Sequence, residues 1–414
     1  VGGIPRLTGD YGVLHFDAIV RSVGTTVHFR SLDAGTEFAG ADFLTTQFEN
    51  VAGVRVETLP GISGSGDGGA GDAAIVLGFF GGVRPAWFNT AGTSNLYSED
   101  FTSTRLVTAS TTAGGQHYLR PLLDSEYVTV GSPDDAQTTT VSLADFDLTS
   151  DHNLRIVGVT TDTGIGAGEL TNRRNSILTL GGEKNLALNS ITFESESFVD
   201  GAATGRGNYT GINMAEDETL TIHSGTIVVA NRGVQNRHGV AHSTSINLDL
   251  RSSINGGSLD FTSREAIFNI AGRWVHYNTA DAVDAYREVD ADSTYLFLNS
   301  AIKNATDLIK TGGGSLMLQT ANDYSGNTYI DQGLLYARND RALGNGTHVY
   351  VSGAGGLIAS HGVHITGKTI EIGMINGNNV GLALQEGASW GGDIIIDNVD
   401  ATGGSSYSRT FTPR

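Results

Sequence analysis

Residues 308–338 constrain the fold more than any other stretch, because short strand patterns alternate there with turn signals. Leu316, Leu318, Tyr329 and Leu335 lie in short alternating or apolar runs. The breaks between these runs contain Gly, Asn, Asp and Ser, the residues that favour turns, at 312–314, 322–323, 325–327 and 332–333. Short strands that each bury one small face become stable when stacked neighbours share a core. The stretch therefore predicts one or more turns of a stacked β-structure, and it contains no catalytic motif.

The same pattern precedes this stretch as a series of short period-two triplets separated by Gly, Asn and Asp. The triplets occupy residues 178–180, 186–188, 191–193, 220–222, 227–229, 246–250, 259–261 and 268–270. Alternation of apolar and polar residues is typical of strands that bury one side. We therefore expect an all-β protein with a regular module at 178–414 and a β-rich module with Gly-rich loops at 1–177, made of similar stacked turns.

Composition agrees with this class. The chain of 414 residues has 57 Gly and 6 Pro, and Gly inside a helix costs about 0.5–1 kcal/mol relative to Ala. No run approaches the ~20 apolar residues of a membrane-spanning helix, so no spanning segment is expected. The absence of Cys excludes disulfides, thiolate zinc sites and cysteine nucleophiles. One segment, 280–289, has helix-forming composition and is interpreted as a helical turn or a loop.

Charge excludes one class of partner. The formal net charge is -19, and the 25 Lys and Arg residues are scattered along the chain without forming a basic stripe. Such a surface repels phosphate backbones, so nucleic acid is not an expected ligand.

The central motif resembles the autotransporter-associated β-strand repeat, also called the passenger-associated transport repeat. The resemblance rests on Lys310-Thr311-Gly312, on Leu316 and Leu318, and on the residues that follow. Those residues are Ala321-Asn322, Tyr324-Ser325-Gly326 and Thr328. Segments 341–347 and 388–392 are similar to pieces that follow this repeat in large secreted bacterial proteins, and segments 21–29 and 80–89 resemble other pieces of the family more loosely.

The resemblance implies a right-handed parallel β-helix with irregular loops, exported by a Gram-negative cell and displayed at its surface or shed. It implies a structural or adhesive role rather than a reaction. The expected partners are neighbouring copies of the same chain, as in a surface fibre, and a glycan or host-surface ligand. No catalytic residue, metal ligand or cofactor is predicted.

Two motifs mimic ligand sites. Residues 362–369 satisfy the phosphate-loop pattern GxxxxGK[ST], yet that chemistry needs a following helix, whereas residues 369–373 read as a strand. His361 and His364 lie three residues apart with His348 nearby, but positions three apart on a strand point to opposite sides. We interpret the match to the phosphate-loop pattern as a coincidence and the three histidines as surface side chains.

The enzymatic alternative is a β-helical polysaccharide lyase or glycoside hydrolase acting on acidic or surface glycans. Such enzymes use paired carboxylates, and Asp393 and Asp397 would face the same way on a regular strand, with Trp390 close by. Trp87 is interpreted as an aromatic residue that covers the core, with stacking on a sugar as the alternative. Ser300 and Lys303 fit an SxxK pattern, but its companion motif SDN is missing from the sequence. The non-enzymatic reading is preferred.

Overall fold

The computed structural model describes most of the chain in segments. These are residues 13–30, 53–59, 62–63, 75–81, 105–111, 114–115, 117–131, 139–158, 176–199, 206–207, 209–236, 250–271, 273–277, 285–289, 294–375, 381–396 and 412–413. Within these segments the regular structure consists of strands and two short 3-10 turns, Asp124–Glu126 and Leu143–Phe146, with no α-helix. The all-β prediction is confirmed. None of the described segments provides a helix suited to crossing a membrane.

The first seven strands form one mixed sheet. They are β1 (Val13–Ala18), β2 (His28–Arg30), β3 (Gly53–Thr58), β4 (Ile62–Ser63), β5 (Ile75–Gly81), β6 (Arg105–Thr111) and β7 (His117–Pro121). The sheet order is β1-β3-β7-β6-β5-β2, with β4 beside β5. Neighbours β3, β7, β6 and β5 pair antiparallel, so these strands are not the stacked turns expected for the N-terminal module. The short connection from β6 to β7 favours a hairpin, whereas parallel neighbours need a longer crossover.

The second sheet contains nineteen strands. Its strands before residue 261 are β8 (Val128–Val130), β9 (Thr139–Ser142), β10 (Asn153–Gly158), β11 (Ser176–Thr179), β12 (Asn185–Val199), β13 (Arg206–Gly207), β14 (Tyr209–Asn213), β15 (Thr219–Asn236) and β16 (Leu250–Asp260). After it come β17 (Ala266–Ile270), β20 (Thr294–Lys303), β21 (Leu308–Thr311), β22 (Ser315–Leu318), β23 (Thr328–Ala337), β24 (His348–Ala359), β26 (Thr369–Ile375), β27 (Leu382–Leu384), β29 (Ile394–Ile396) and β30 (Thr412–Pro413). Except for the contact of β13 with β12, all the pairings are parallel.

Two small sheets complete the described structure. Strands β18 (Arg273–Tyr277) and β19 (Ala285–Val289) pair antiparallel, and β25 (His364–Thr366) pairs in parallel with β28 (Ser389–Gly391). The helical interpretation of 280–289 is therefore wrong for Ala285–Val289, because pairing with β18 outweighs local propensity. Residues 280–284 lie outside the described part of the chain.

Three runs of parallel pairing, here named ladders A, B and C, organise the large sheet. Ladder A joins β8, β10, β12, β15, β17, β21, β23, β24, β26 and β29. Ladder B joins β9, β11, β14, β16, β20, β22, β23, β24, β27 and β30. Ladder C joins the first parts of β12 and β15 to the last parts of β16 and β20. Long strands belong to two ladders because they turn a corner, as the register shift between Asn255 and Ser258 shows.

The chain visits the ladders in a fixed order. Strand β14 lies in ladder B, the first part of β15 lies in ladder C and its second part lies in ladder A. Strand β16 then returns to ladder B, directly beside β14. Each circuit therefore ends next to its own start, and successive circuits stack.

The core lies inside the three ladders. Leu178, Ile212, Ile254, Leu298 and Leu318 occupy directly paired inward positions of ladder B, and all are fully buried. Complete burial of such a side chain contributes about 1.5–3 kcal/mol. Ladder C contains a similar column of directly paired, buried residues, namely Leu186, Leu220, Leu259 and Ile302.

The N-terminal sheet packs against the outside of ladder A. Phe79 and Leu106 from the sheet form one buried cluster with Val228, Ile267 and Ile309 of the ladder. The segment between β1 and β2 adds polar contacts, because Arg21 pairs with Glu265 and the Gly24 amide donates to Glu265 Oε1 at 3.1 Å. This outer surface is therefore occupied by the protein itself. The division at residues 177 and 178 stays a prediction, although β8 to β10, before it, already belong to the stack.

Candidate functional site

The outer side of ladder B presents three neighbouring columns of side chains. Alternate residues of a strand point to opposite sides, and those between the columns are buried in the core. We name the outward side chains of β14, of residues 251–255 in β16 and of residues 295–299 in β20 the ladder B surface. Its first column is Tyr209, Arg251 and Tyr295; its second is Gly211, Ser253 and Phe297; its third is Asn213, Asn255 and Asn299.

A glycine allows one ring to lie across this surface. The hydroxyl group of Tyr209 forms a hydrogen bond with that of Ser253 on the next turn. A Cβ atom at Gly211 would lie 3.3 Å from the Tyr209 ring and 2.9 Å from Ser253 Oγ. The absence of a side chain at Gly211 therefore leaves room for the Tyr209 ring, and the hydrogen bond to Ser253 holds that ring in a partly exposed position.

Two further rings and a guanidinium group lie beside it. The centroids of Tyr295 and Phe297 are 5.9 Å apart with a tilt of 39°. The guanidinium carbon of Arg251 lies 6.0 Å from the centre of the Phe297 ring, within the range of a cation–π contact. Both rings are partly exposed and Arg251 is exposed. The ladder B surface thus combines apolar rings with a polar edge.

The third column is a ladder of amides. Asn255 Nδ2 donates to Asn213 Oδ1 at 2.9 Å and to Ser253 Oγ at 2.9 Å, and Asn299 Nδ2 donates to Asn255 Oδ1 at 2.6 Å. The two bonds between asparagines join one turn to the next, because the paired residues are 42 and 44 positions apart. Parallel in-register strands place identical side chains at the strand spacing, about 4.8 Å. The column therefore links three successive turns by hydrogen bonds and also presents a regular array of amide groups.

A second group of rings lies on ladder A, next to the N-terminal segment. Tyr329 and Tyr350 are stacked at 5.0 Å, and His348 is stacked on Tyr350 at 5.9 Å. A Cβ atom at Gly24 would lie 2.3 Å from the Tyr329 ring, so the glycine backbone packs directly on that ring. The environment of Tyr329 shows that this group serves partly to seat the N-terminal segment.

The phosphate-loop pattern does not form a phosphate site. Strand β26 follows the motif, as predicted, where a nucleotide site would have a helix. Lys368 Nζ donates instead to the carbonyl oxygens of Gly344, at 3.0 Å, and Gly346, on the preceding turn. Burial lowers the pKa of Lys368. The lysine of the motif therefore joins two turns.

The three histidines have different surroundings and, among the described residues, share no hydrogen-bond partner. His364 Nδ1 lies 2.8 Å from Ser389 Oγ, and His348 Nδ1 lies 2.9 Å from Thr347 Oγ1. His361 is exposed. Across the described segments, no three His, Asp or Glu side chains are grouped in a way that would hold a metal ion.

The remaining candidates are dispersed. Ser300 Oγ donates to the Gly256 carbonyl oxygen on the preceding turn, and Lys303 is exposed. Asp393 precedes β29, whereas its proposed companion Asp397 lies outside the described residues, as does Trp87. The described residues thus bring none of the proposed catalytic pairs together.

Sequence reasoning missed the ladder B surface. The recurrence of Asn at 213, 255 and 299 was its one visible signal, but the spacing is uneven and its meaning depends on the register. The short triplets predicted which residues face inward. Which outward residues lie side by side depends on how neighbouring turns are aligned.

Comparisons with known proteins give one distant relative. No family model matches the chain, and no solved structure matches it. A segment of 210 residues, 50% of this chain, is 26% identical to the protein named Adhesin BmaC autotransporter from Brucella suis biovar 1 (strain 1330). The match covers 5% of the length of that adhesin. Half of the chain is therefore similar to a small part of an autotransporter adhesin.

Proposed function

We propose that this chain is an extracellular adhesive protein of a Gram-negative bacterial surface, without enzymatic activity. The observation that supports it best is the ladder B surface, a regular array of partly exposed rings and amides on a stack of parallel turns. The distant similarity to an autotransporter adhesin points in the same direction. Outer-membrane association or release from the cell belongs to the same proposal.

The proposed architecture is a right-handed parallel β-helix that includes the autotransporter-associated repeat at 308–338. Its support is the repeated order of ladders B, C and A, which returns each strand beside the one before it. Connections between parallel strands of one sheet are right-handed in about 98% of cases. A β-helix lets short strands share one continuous core, as the buried columns require.

Adhesion would be mechanical and multivalent. Hydrogen bonds between turns fix the spacing of the outward side chains, so a ligand with repeating groups meets several contacts at once. Linked weak contacts raise overall avidity by factors of 10² to 10⁴ when their geometry allows simultaneous binding. Assembly of several copies into a fibre would multiply this further and stays a prediction.

The lyase or hydrolase alternative requires paired carboxylates beside a bound sugar. The ladder B surface consists of rings, amides, one serine and one guanidinium, which is a set suited to binding. Asp393 is the described member of the pair considered from sequence, and it lies in the turn before β29. We therefore favour binding over cleavage.

The test is adhesion by the purified chain. Fluorescent beads coated with it should bind to epithelial cells or extracellular matrix more than beads coated with serum albumin do. Beads coated with the Tyr295→Ala/Asn299→Ala double variant should lose most of that excess. Equal binding by chain-coated and albumin-coated beads on every surface would overturn the adhesive proposal. Release of new reducing ends from polysaccharides by the chain would favour the enzymatic alternative.

A further inference from the structure

The amide column retains hydrogen-bonding groups for a ligand. Within the described part of the chain, Asn213 uses only its Oδ1 atom in the column, and Asn299 uses only Nδ2. The Asn213 Nδ2 group and the Asn299 Oδ1 atom are thus available at the two ends. An amide donates and accepts hydrogen bonds together, as does the hydroxyl group of a sugar.

The rings lie on the same side of the strand as the amides. Phe297 and Asn299 are two residues apart on β20, so both point outward, and Tyr295 precedes them by the same interval. Partly exposed rings offer apolar surface to the C–H side of a sugar ring. The Tyr209 ring is already fixed by its bond to Ser253, which reduces the ordering cost of binding.

Charge restricts the class of sugar. The ladder B surface contains no carboxylate, although the whole chain has a formal net charge of -19. The long-range field of such a protein repels an extended polyanion, and Arg251 alone does not reverse it. A neutral ligand escapes this repulsion.

We propose that the ladder B surface binds a neutral glycan built of hexose units, with the rings of Tyr295 and Phe297 and the amides of Asn213 and Asn299 as its contacts. The inference rests on the proposed adhesive function and names the chemical class of its ligand. The strand spacing of about 4.8 Å is comparable to the length of one sugar unit, so successive units meet successive turns.

Titration calorimetry with defined oligosaccharides tests this. The neutral probes are cellohexaose, maltohexaose, mannohexaose and laminarihexaose, and the acidic probes are an oligogalacturonate and a hyaluronan hexasaccharide. We expect at least one neutral probe to bind with a Kd of roughly 1 mM or tighter. The Tyr295→Ala variant should weaken that binding by about 3-fold to 10-fold, the range of a single aromatic contact.

Two matched variants separate loss of a contact from loss of the fold. Tyr295→Phe keeps the ring and should bind within about twofold of the unmodified chain. Tyr350→Ala removes a partly exposed ring from the outside of ladder A and should leave binding unchanged. Asn299→Ala removes the amide at the end of the column and should weaken binding, even if Tyr295→Ala is too unstable to measure.

The proposal is overturned if no neutral probe binds, if only the acidic probes bind, or if Tyr295→Ala and Asn299→Ala both bind as tightly as the unmodified chain. The bead experiment separates this failure from failure of the adhesive function. Beads that adhere without any neutral glycan binding would point to another ligand, whereas beads that do not adhere would remove the adhesive function itself.

Discussion

The ammonium group of Lys310 donates a hydrogen bond of 2.9 Å to the carbonyl oxygen of Gln332, one turn further along the stack. It also donates to the carbonyl oxygens of Thr311, at 2.9 Å, and Gly312, at 2.6 Å. Lys310 is fully buried and occupies an inward position of ladder A, paired with Phe268 and Ile330. A charged group among the inward residues of ladder A thus donates hydrogen bonds to backbone carbonyl groups where the chain turns a corner.

Replacing Lys310 with Met should destabilise the protein by about 3 kcal/mol or more. The side chain keeps a similar volume, but three carbonyl groups lose a donor, two of them in buried contacts and one in a partly buried contact. Each buried group left unsatisfied costs about 1–3 kcal/mol. Urea unfolding monitored by circular dichroism measures the loss. Lys303→Met, at an exposed position, should change stability by less than about 0.5 kcal/mol. Similar losses in the two variants would contradict the role given to Lys310.

Asn322 should be a second strong link between turns. Its Oδ1 atom accepts from the Ile302 amide at 2.8 Å, and its Nδ2 atom donates to the Ala342 carbonyl oxygen at 2.7 Å, each 20 residues away. The residue is buried, so Asn322→Leu should cost about 2–4 kcal/mol. Asn345 makes a similar bond to the Asp323 carbonyl oxygen but is exposed. Asn345→Ala should therefore cost less than about 1 kcal/mol, and the reverse order in thermal unfolding would disprove this account.

Close approach between turns makes one glycine irreplaceable. A Cβ atom at Gly346 would lie 1.7 Å from the Gly326 carbonyl oxygen, whereas one at Gly373 would meet only the Val351 carbonyl oxygen, at 3.6 Å. Gly346→Ala should therefore lower stability by about 3 kcal/mol or more, through overpacking against backbone. Gly373→Ala should be neutral or slightly stabilising, since Ala restricts the unfolded chain. Equal melting temperatures for the two variants would show that the turns are spaced more widely.

Alkaline pH should destabilise the contact between the N-terminal sheet and ladder A. Burial raises the pKa of Tyr127 to about 12, from about 10 in an unfolded chain. Between these values the folded state keeps its proton while the unfolded state loses it, so stability falls as pH rises from about 10 to 12. Stability measured by urea unfolding should decline less steeply over this range in Tyr127→Phe. An identical decline in both proteins would exclude Tyr127 as its source.

Much of the inward pattern could be predicted from the sequence, because alternation shows which residues share one side of a strand and an apolar set indicates the buried side. Leu316, Leu318 and Leu335 were predicted in short strands, and all three are in the core. Tyr329 belonged to the same pattern but faces outward, because period two does not say which side is inside.

The functional surface could not be predicted in the same way. Which residues become neighbours in adjacent turns depends on loop lengths, and the bonds of the asparagine column span 42 and 44 residues. The burial of Lys310 was also unexpected, because a lysine is seldom fully buried unless its ammonium group has partners. Three backbone carbonyl groups accept hydrogen bonds from it, and sequence patterns do not show such partners.

The most direct measurement of the stacked register uses engineered disulfides, since the chain has no Cys of its own. Asn255 and Asn299 are direct partners on adjacent turns, and a separation near 4.8 Å lies within the Cα distance range of a disulfide. Asn213 and Asn299 are two turns apart, beyond the 7 Å limit. Under mild oxidation the Asn255→Cys/Asn299→Cys variant should form an internal disulfide while Asn213→Cys/Asn299→Cys does not. Equal cross-linking of both pairs, or of neither, would contradict the stack on which the proposed adhesive surface depends.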